Sequence, residues 1–415
     1  MRIIAVDLPH LHTVHIAHYV RIGSRYESEL TNGLSHFVEH MLYRGTASHP
    51  SSLELNLAFE RLGGGLHAET GRDDSLFQTT ALPEDADRAF ELFGELFSSP
   101  IFGDIERERA LILEELNEDY DEHGCEVNGD DIAHGLLFGE RGLGQRIIGP
   151  PHNVERFSEE DVRAHFTAHY GARSAIVCMA GPIDESHVRA AERTLGGLPP
   201  GQPPADAPPP EALEGPRYRY VSESGSQSGI TVLLRAVPER DPDYPACSAL
   251  VRALDDGMST RLHYRLCDQL GLAYHLSAGL ETYHDVSLLE VVGSTAHRKV
   301  APLLRELFGL FDELRDAPIA HEELDKIKAR TRFDLAAAQD DPGAMAAWFG
   351  GTSLYFEPPA LETRLAQIDA LTVDDIQRAA RRVLVAENLA VVVVGALSRA
   401  RQGEVREIIT GWRPS

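Results

Sequence analysis

Hydrophobic positions in the first half of the chain follow helical spacing over several segments and strand-like spacing over two others. Residues 12–20 are mainly apolar and residues 75–82 alternate between apolar and polar, so both are predicted strands. The predicted helices span 34–44, 52–62, 83–98, 104–122 and 128–138. Gly63 is expected to end the helix at 52–62.

The second half repeats this arrangement, with strands predicted near 228–236, 272–280 and 286–293 and helices between and after them. Strands that stand early and late, separated by runs of helices, are typical of an α+β layer rather than of regular βαβ winding. Each half is therefore expected to form a mainly antiparallel sheet packed against helices.

An internal repeat supports two similar domains in tandem. Residues 158–183 align with residues 372–397 without a gap. Both begin with Ser or Thr followed by acidic residues, continue as an amphipathic helix and, after a short turn, as a buried strand that ends in Gly181 or Gly395. A Pro-rich segment near 197–216 is predicted to be the linker. The predicted division is residues 1–200, a linker at 201–216 and residues 217–415.

Composition narrows the choice of partners. The chain has 415 residues, of which 43% are hydrophobic, and 65 acidic against 39 basic residues give a net charge of -26. Such a surface repels nucleic acid and anionic membranes and favours a cationic ligand or a peptide. We therefore expect no nucleic acid or membrane partner.

Cysteine usage and hydropathy indicate a cytoplasmic protein. The four cysteines are far apart and form no CxxC pair, which argues against a thiolate zinc site and a disulfide framework. The first residues lack the apolar core of a signal peptide, and the longest apolar run, near residue 393, is too short to cross a bilayer. A reducing compartment is the expectation.

The stretch HFVEH at residues 36–40 is the first candidate for chemistry. On a helix, His36 and His40 lie one turn apart on the same face, so both imidazoles can reach one metal ion. Glu39 stands about 100° round the helix axis from His40, where it can reach a water molecule. The order H-x-x-E-H is the inverted zinc-protease motif. The alternative is a solvated polar face of an amphipathic helix.

A zinc site that hydrolyses peptides needs a third protein ligand. Glu108 and Glu115, two turns apart on the helix predicted at 104–122, are candidates, and they share a face with Leu111 and Ile112. An acidic side chain in apolar surroundings is costly unless a cation compensates its charge. The alternative for these acids is a solvated, charged helix face.

Several stretches together resemble the pitrilysin, or M16, metallopeptidases, whose two-domain members include the mitochondrial processing peptidase beta subunit. The matching stretches are GSRYESELTNGLSHFVEHMLYRGT from Gly23, FERLGGGLHAET from Phe59, ERALILEEL from Glu108, LGQRIIGP from Leu143 and DQLGLAYHLSAG from Asp268. The resemblance implies that His36, His40 and Glu115 bind Zn²⁺, that Glu39 is the general base and that Glu108 is a supporting acid near the site.

The resemblance also implies how a peptide is held. The family's substrate-binding edge strand corresponds to His67, Ala68, Glu69 and Thr70, with His67 where Asn is usual. Tyr274 corresponds to a family Tyr that acts on the substrate from the second domain. Its usual Arg companion is replaced by Cys267, and Arg265 is two residues out of register.

The function expected from these residues is zinc-dependent cleavage of peptides or unfolded segments inside a chamber formed by two chains. The partner is either a second copy or a related M16-like chain, and either Arg265 or the partner replaces the missing Arg. The alternative function is that of a non-catalytic M16-like scaffold or binding subunit.

Overall fold

The computed structural model describes residues 1–206 and 214–413 and has the predicted α+β fold. The described residues contain ten strands in two five-stranded sheets. The strands are β1 (Arg2–Asp7), β2 (Val14–Val20), β3 (His67–Thr70), β4 (Ser75–Ala81), β5 (Ala175–Gly181), β6 (Arg217–Ser222), β7 (Ser228–Ala236), β8 (Leu276–Thr282), β9 (Ser287–Thr295) and β10 (Leu389–Gly395).

Helices cover most of the remaining described residues, and a π-helical segment adds Leu262–Gln269. The α-helices are α1 (Leu34–Leu42), α2 (Ser52–Glu60), α3 (Ala86–Ser98), α4 (Ile105–Leu116), α5 (Gly129–Phe138), α6 (Pro151–Val154), α7 (Glu159–His169), α8 (Glu185–Leu195), α9 (Tyr244–Leu254), α10 (Val300–Asp316), α11 (His321–Ala338), α12 (Pro342–Ala346), α13 (Leu361–Ala370), α14 (Val373–Val383) and α15 (Arg399–Gly411).

The two sheets have the same topology. The first runs in the order β1-β5-β2-β4-β3 and the second in the order β6-β10-β7-β9-β8. In each, the first pair of strands is parallel and the other pairs are antiparallel. The prediction of two similar domains, each with a mainly antiparallel sheet, is confirmed.

The internal repeat has the structure predicted for it. Ser158 and Thr372 each accept a hydrogen bond from the third residue of their helix, and an Asp at that position bonds back, so both α7 and α14 begin with a capping box. The strands that follow end in glycines with positive φ, +139° at Gly181 and +153° at Gly395. A Cβ at Gly181 would lie 2.4 Å from the carbonyl oxygen of Thr13, so the turn requires glycine.

The chain forms two compact units, and each contains residues from both halves of the sequence. Among the described residues, the first unit comprises 1–116, 141–206 and 334–359, and the second comprises 117–140, 214–333 and 360–413. The contiguous division at 201–216 stays a prediction, and residues 207–213 lie outside the described part of the chain.

Two segments belong to the unit formed mainly by the other half of the sequence: 117–140 to the second unit and 334–359 to the first. In the second unit, α5 packs on β7 and β10 so closely that a Cβ at Gly129 would lie 2.6 Å from the hydroxyl of Thr231. In the first unit, α12 and the π-helical turn Ala347–Gly351 pack on β2 and β5, and a Cβ at Gly350 would lie 2.6 Å from the Cβ of Cys178. Glycine lets each segment lie directly on its sheet.

The structure also changes some predicted bounds. The helix predicted over 104–122 ends as α4 at Leu116 and is followed by a single 3₁₀ turn. The helix predicted from residue 83 begins at Ala86, after a 3₁₀ turn that starts at Pro83. The edge strands β1 and β6 were not predicted. No helix of the described residues combines the length and the apolar character that crossing a membrane requires.

Candidate metal centre

Helix α1 places His36 and His40 on one face, as their spacing predicts. Phe37, Val38 and Met41 are fully buried, which fixes the rotation of the helix and directs the histidines together. Their ring centroids are 4.7 Å apart. The side chain of His36 is buried and that of His40 is half-buried.

Helix α4 packs against α1 and brings Glu115 to the two imidazoles. One carboxylate oxygen, Oε1, is 3.6 Å from Nε2 of His36, and the other, Oε2, is 3.5 Å from Nε2 of His40. One ligand atom from each of the three residues lies within 4.8 Å of the other two. Within the described residues, this is the group of His, Cys, Asp and Glu side chains that is spaced to hold a metal ion.

The donor set fits zinc. Two imidazole nitrogens and one carboxylate oxygen are the three-ligand set of catalytic zinc sites, which keep a fourth position open. Bonds of 2.0–2.1 Å in a tetrahedron place neighbouring ligand atoms about 3.4 Å apart. The separations of 3.5 and 3.6 Å between Glu115 and the two imidazole nitrogens are close to that value.

Glu108 contacts the ring nitrogen of His40 that faces away from Glu115. Its Oε2 lies 3.4 Å from Nδ1 of His40, and its Oε1 accepts a hydrogen bond of 3.0 Å from Arg44. Burial would raise the pKa of Glu108, which is only 5% exposed, but His40 and Arg44 together hold the pKa below its usual range. A carboxylate in this position sets the ring orientation and leaves Nε2 free to bind metal.

The protonation states of the three candidate ligands are linked. Burial, with a smaller effect of His40, lowers the pKa of His36. Burial also acts to lower the pKa of His40, but Glu108 and Glu115 outweigh it and raise the pKa to about 9. The hydrogen bond from His40 lowers the pKa of Glu115. A proton on His40 thus offsets part of the charge of the two carboxylates in the metal-free chain, and a metal ion bound at Nε2 would displace it.

Glu39 lies beside the candidate ligands and accepts a hydrogen bond from strand β3. Its Oε2 accepts a hydrogen bond of 2.6 Å from the hydroxyl of Thr70, the last residue of β3. Burial raises the pKa of Glu39, and the bond from Thr70 opposes that rise. Helix α1 contacts β3, so the Glu39 carboxylate stands between the candidate metal ligands and this strand.

Strand β3 is an edge of the first sheet. It pairs with β4 on one side, and no described strand pairs with it on the other. His67 and Glu69 are exposed, whereas Ala68 is half-buried and Thr70 is buried. An edge with free backbone groups can take an extended peptide as an additional strand.

Comparison with protein families assigns the chain to a family. A family model described as Insulinase (Peptidase family M16) matches residues 2–150, which contain all the residues of the cluster, and a model described as Peptidase M16 inactive domain matches residues 156–331. The chain belongs to the M16 peptidase family.

Individual relatives agree with this assignment. An uncharacterised zinc protease of Streptomyces coelicolor is 26% identical over 394 residues, covering 92% of this chain and 85% of that protein. The mitochondrial-processing peptidase subunit beta of Blastocladiella emersonii is 27% identical over 401 residues, covering 93% and 85%. A protease structure from Helicobacter pylori shares the fold, with a TM-score of 0.87 at 20% identity over 94% of this chain and 96% of that one.

The remaining predicted site residues of this M16 chain belong to the second unit. Tyr274 is 96% exposed. Arg265 forms ion pairs of 2.9 Å with Glu306 and 2.6 Å with Glu313, both on α10. The thiol of Cys267 has its pKa raised by burial and offers no cation. The roles of Arg265 and Tyr274 toward a substrate stay predictions.

Three contacts of the site were not expected from the sequence. They are the bond from Thr70 to Glu39, the pairing of Arg44 with Glu108, and a carboxylate at the start of α1. Glu27 is buried there and accepts hydrogen bonds from the backbone N–H groups of Gly33 (2.7 Å) and Ser35 (2.6 Å). The first two contacts join residues 31 and 64 positions apart, whose proximity depends on tertiary packing. The Glu27 carboxylate lies only six and eight residues before its partners, but it stands outside the capping positions that a sequence pattern indicates.

A cavity of about 340 Å³ in the first unit lies away from this chemistry. It is lined by residues that include Arg2 on β1 and Arg173 just before β5, at the opposite side of the sheet from β3. None of the metal-cluster residues lines it. The edge of β3 is therefore the better candidate for peptide binding.

Proposed function

We propose that this chain is a zinc-dependent metalloendopeptidase that cleaves peptides or unfolded segments. The observation that carries the proposal is the convergence of two imidazoles and one carboxylate with a separate half-buried carboxylate, Glu39, one residue from a ligand. The zinc protease names of the relatives support it. A scaffold protein would need none of these four side chains to meet.

His36, His40 and Glu115 would hold zinc, and Glu108 would keep His40 in the tautomer whose Nε2 faces the ion. Zinc bound there supplies a Lewis acid that makes water a usable nucleophile at neutral pH. Every proton transfer is then left to the side chains of the protein.

Glu39 is the proposed general base. It takes a proton from the attacking water and delivers it to the amine that leaves as the peptide bond breaks. Its half-buried position raises its pKa, which brings the carboxyl group closer to the pH at which one group can both accept and donate a proton. The peptide would lie extended along β3, with its backbone paired to His67, Ala68, Glu69 and Thr70.

The test compares the zinc-loaded chain with its Glu39→Gln variant on unstructured peptides, with products identified by mass spectrometry. The variant keeps the size of the side chain and the metal ligands, so it should bind zinc while cleavage falls by a factor on the order of 10² or more. Equal cleavage by both proteins would remove Glu39 from this role.

The metal ligands are tested separately by elemental analysis. His36→Ala, His40→Ala and Glu115→Ala should each lose zinc because three protein ligands are needed to hold it. Glu114→Gln is the matched control, since Glu114 neighbours Glu115 on α4 and is exposed. Stoichiometric zinc in all three alanine variants would contradict the ligand assignment.

We also propose that the working enzyme is a dimer with a related M16-like chain. Arg265 is held by two carboxylates of α10, so reaching a substrate would break both ion pairs. A partner that carries its own Arg would avoid that cost. Strong activity of the purified chain as a homodimer, abolished by Arg265→Ala, would contradict this proposal. Activity that appears only on addition of the related chain would support it.

A further inference from the structure

The hydroxyl of Thr70 makes a short, partly buried hydrogen bond to the proposed general base. Its Oγ1 donates to Oε2 of Glu39 over 2.6 Å, and Thr70 is only 6% exposed. The backbone of Thr70 is fixed because the residue pairs with Ser75 of β4. A threonine side chain is also stiff about its first torsion, so the hydroxyl has little freedom.

Glu39 has no comparable restraint of its own. Its side chain has three rotatable bonds, and helix α1 fixes only where the side chain starts. Thr70 is the residue of the described chain that donates a hydrogen bond to this carboxylate. The bond from Thr70 occupies one lone pair of Oε2, whereas both lone pairs of Oε1 stay available, so Oε1 is the better proton acceptor.

We propose that Thr70 is a positioning residue that selects the rotamer and the reacting oxygen of Glu39; this inference rests on the proposed peptidase function. As the water oxygen forms its bond to the scissile carbonyl carbon, the proton of the water passes to Oε1 of Glu39. The same proton then passes to the amide nitrogen as the C–N bond breaks. Thr70 keeps its own proton throughout and contacts Oε2 in both steps.

The location of Thr70 links this role to peptide binding. Thr70 ends the edge strand β3, whose outer edge is proposed to pair with the substrate. Strand β3 therefore has two roles. Its backbone positions the peptide, and the side chain of its last residue positions the general base. A shift of β3 would misplace both at once, and a misplacement of about 1 Å can cost about 10²-fold in rate.

The first experiment measures kcat and KM of zinc-loaded Thr70→Val, which removes the hydroxyl and keeps the shape. The expected result is a kcat lowered about 10- to 100-fold, with KM and zinc content close to those of the wild type. Thr70→Ser keeps the hydroxyl donor, so its kcat should lie within about threefold of the wild-type value. Thr70→Ala serves the same purpose as Thr70→Val if the latter does not fold.

Thr79→Val is the matched control for a threonine-to-valine change in this sheet. Thr79 lies on the neighbouring strand β4, is 1% exposed, and its hydroxyl has no hydrogen-bond partner among the described residues. This variant should leave kcat unchanged. A fall in kcat equal to that of Thr70→Val would show that the sheet responds to any such change, and would overturn the inference.

A double-mutant cycle separates positioning from a general structural effect. If Thr70 acts through Glu39, Thr70→Val should cause no further loss of kcat in a Glu39→Gln background. A second cycle uses the metal-free protein and urea unfolding. Thr70→Val should lower the midpoint in the wild-type background and by less than half as much in a Glu39→Met background, where the acceptor is gone.

The outcomes distinguish this inference from the proposed function. A wild-type chain that cleaves peptides while Thr70→Val cleaves them equally well overturns only the role of Thr70. Equal losses from Thr70→Val with and without Glu39 overturn it as well, because the effect then does not pass through Glu39. A zinc-loaded wild-type chain that cleaves nothing, alone or with a related chain, overturns both.

Discussion

His18 gives the first unit a defined sensitivity to acid. It lies on β2 with no exposed surface, stacks on Phe97 at a centroid distance of 3.9 Å, and neither of its ring nitrogens has a hydrogen-bond partner among the described residues. Burial lowers its pKa from 6.5 to about 3. The folded chain therefore keeps His18 neutral at pH values where the unfolded chain protonates it.

The sign and size of the effect follow from these two pKa values. Well above pH 6.5 neither state binds the proton, so His18 has no effect on pH dependence there. Below pH 6.5 the unfolded state gains the proton and the free energy of unfolding falls, until the pH reaches about 3. Between pH 7 and pH 5 the loss from His18 amounts to about 2 kcal/mol.

His18→Leu removes this titration and leaves an apolar side chain of similar size against Phe97. Urea unfolding at pH 7 and pH 5 should show that the variant loses about 2 kcal/mol less than the wild type over this interval. Other buried histidines, such as His165, titrate in both proteins, so the difference isolates His18. The exposed His123 changed to Leu controls for the change in charge. Equal losses in wild type and His18→Leu would refute the reasoning.

Two further predictions concern the surroundings of the metal cluster. Glu108→Gln should weaken zinc affinity about 10- to 100-fold, because the ring of His40 loses its charged partner; chelator competition measures this, and unchanged affinity would contradict it. Glu27→Gln should lower the free energy of unfolding by about 1–3 kcal/mol. The amide replaces one acceptor oxygen by an NH₂ group, which cannot accept a hydrogen bond from the backbone N–H groups at the start of α1. Urea unfolding tests this against Glu29→Gln at an exposed position, and equal effects of the two changes would argue against a role for the cap.

The elements predicted best are those whose signals are local. Helices α7 and α14 combine a capping box, an amphipathic pattern and a following buried strand within about 26 residues. All of these signals lie in consecutive residues, so no knowledge of distant contacts is needed. The same holds for His36 and His40, because one helical turn determines their separation.

The strands β1 and β6 were missed because their patterns are weak and their pairing is distant. Both are edge strands with exposed residues, and each pairs in parallel with a strand from a remote part of the chain. An edge strand needs only one buried face and leaves little hydrophobic signal. The assignment of α5 to the second unit and of α12 to the first could not be predicted from the sequence either. An amphipathic pattern shows that a helix packs against a sheet but not which sheet.

The choice between Glu108 and Glu115 shows the same limit within the site. Both lie on α4, two turns apart, and both were candidates from spacing alone. The structure gives them different partners: Glu115 approaches both Nε2 atoms, whereas Glu108 approaches Nδ1 of His40 and pairs with Arg44. That difference depends on how α4 crosses α1, which only the resemblance to M16 peptidases could supply.

The end of α4 shows how the metal site and the fold depend on each other. Glu114 and Glu115 stand in the last turn of this helix, where the exposed carbonyl groups carry partial negative charge and basic residues are favoured. The last turn contains no basic residue. Glu115 instead faces the two imidazoles of α1, of which His40 carries the proton, so positive charge reaches this helix end from another element. A cation held by His36, His40 and Glu115 would compensate the carboxylate and the helix terminus together. The two acidic residues that make α4 a poor isolated helix thus include the carboxylate proposed to bind the metal.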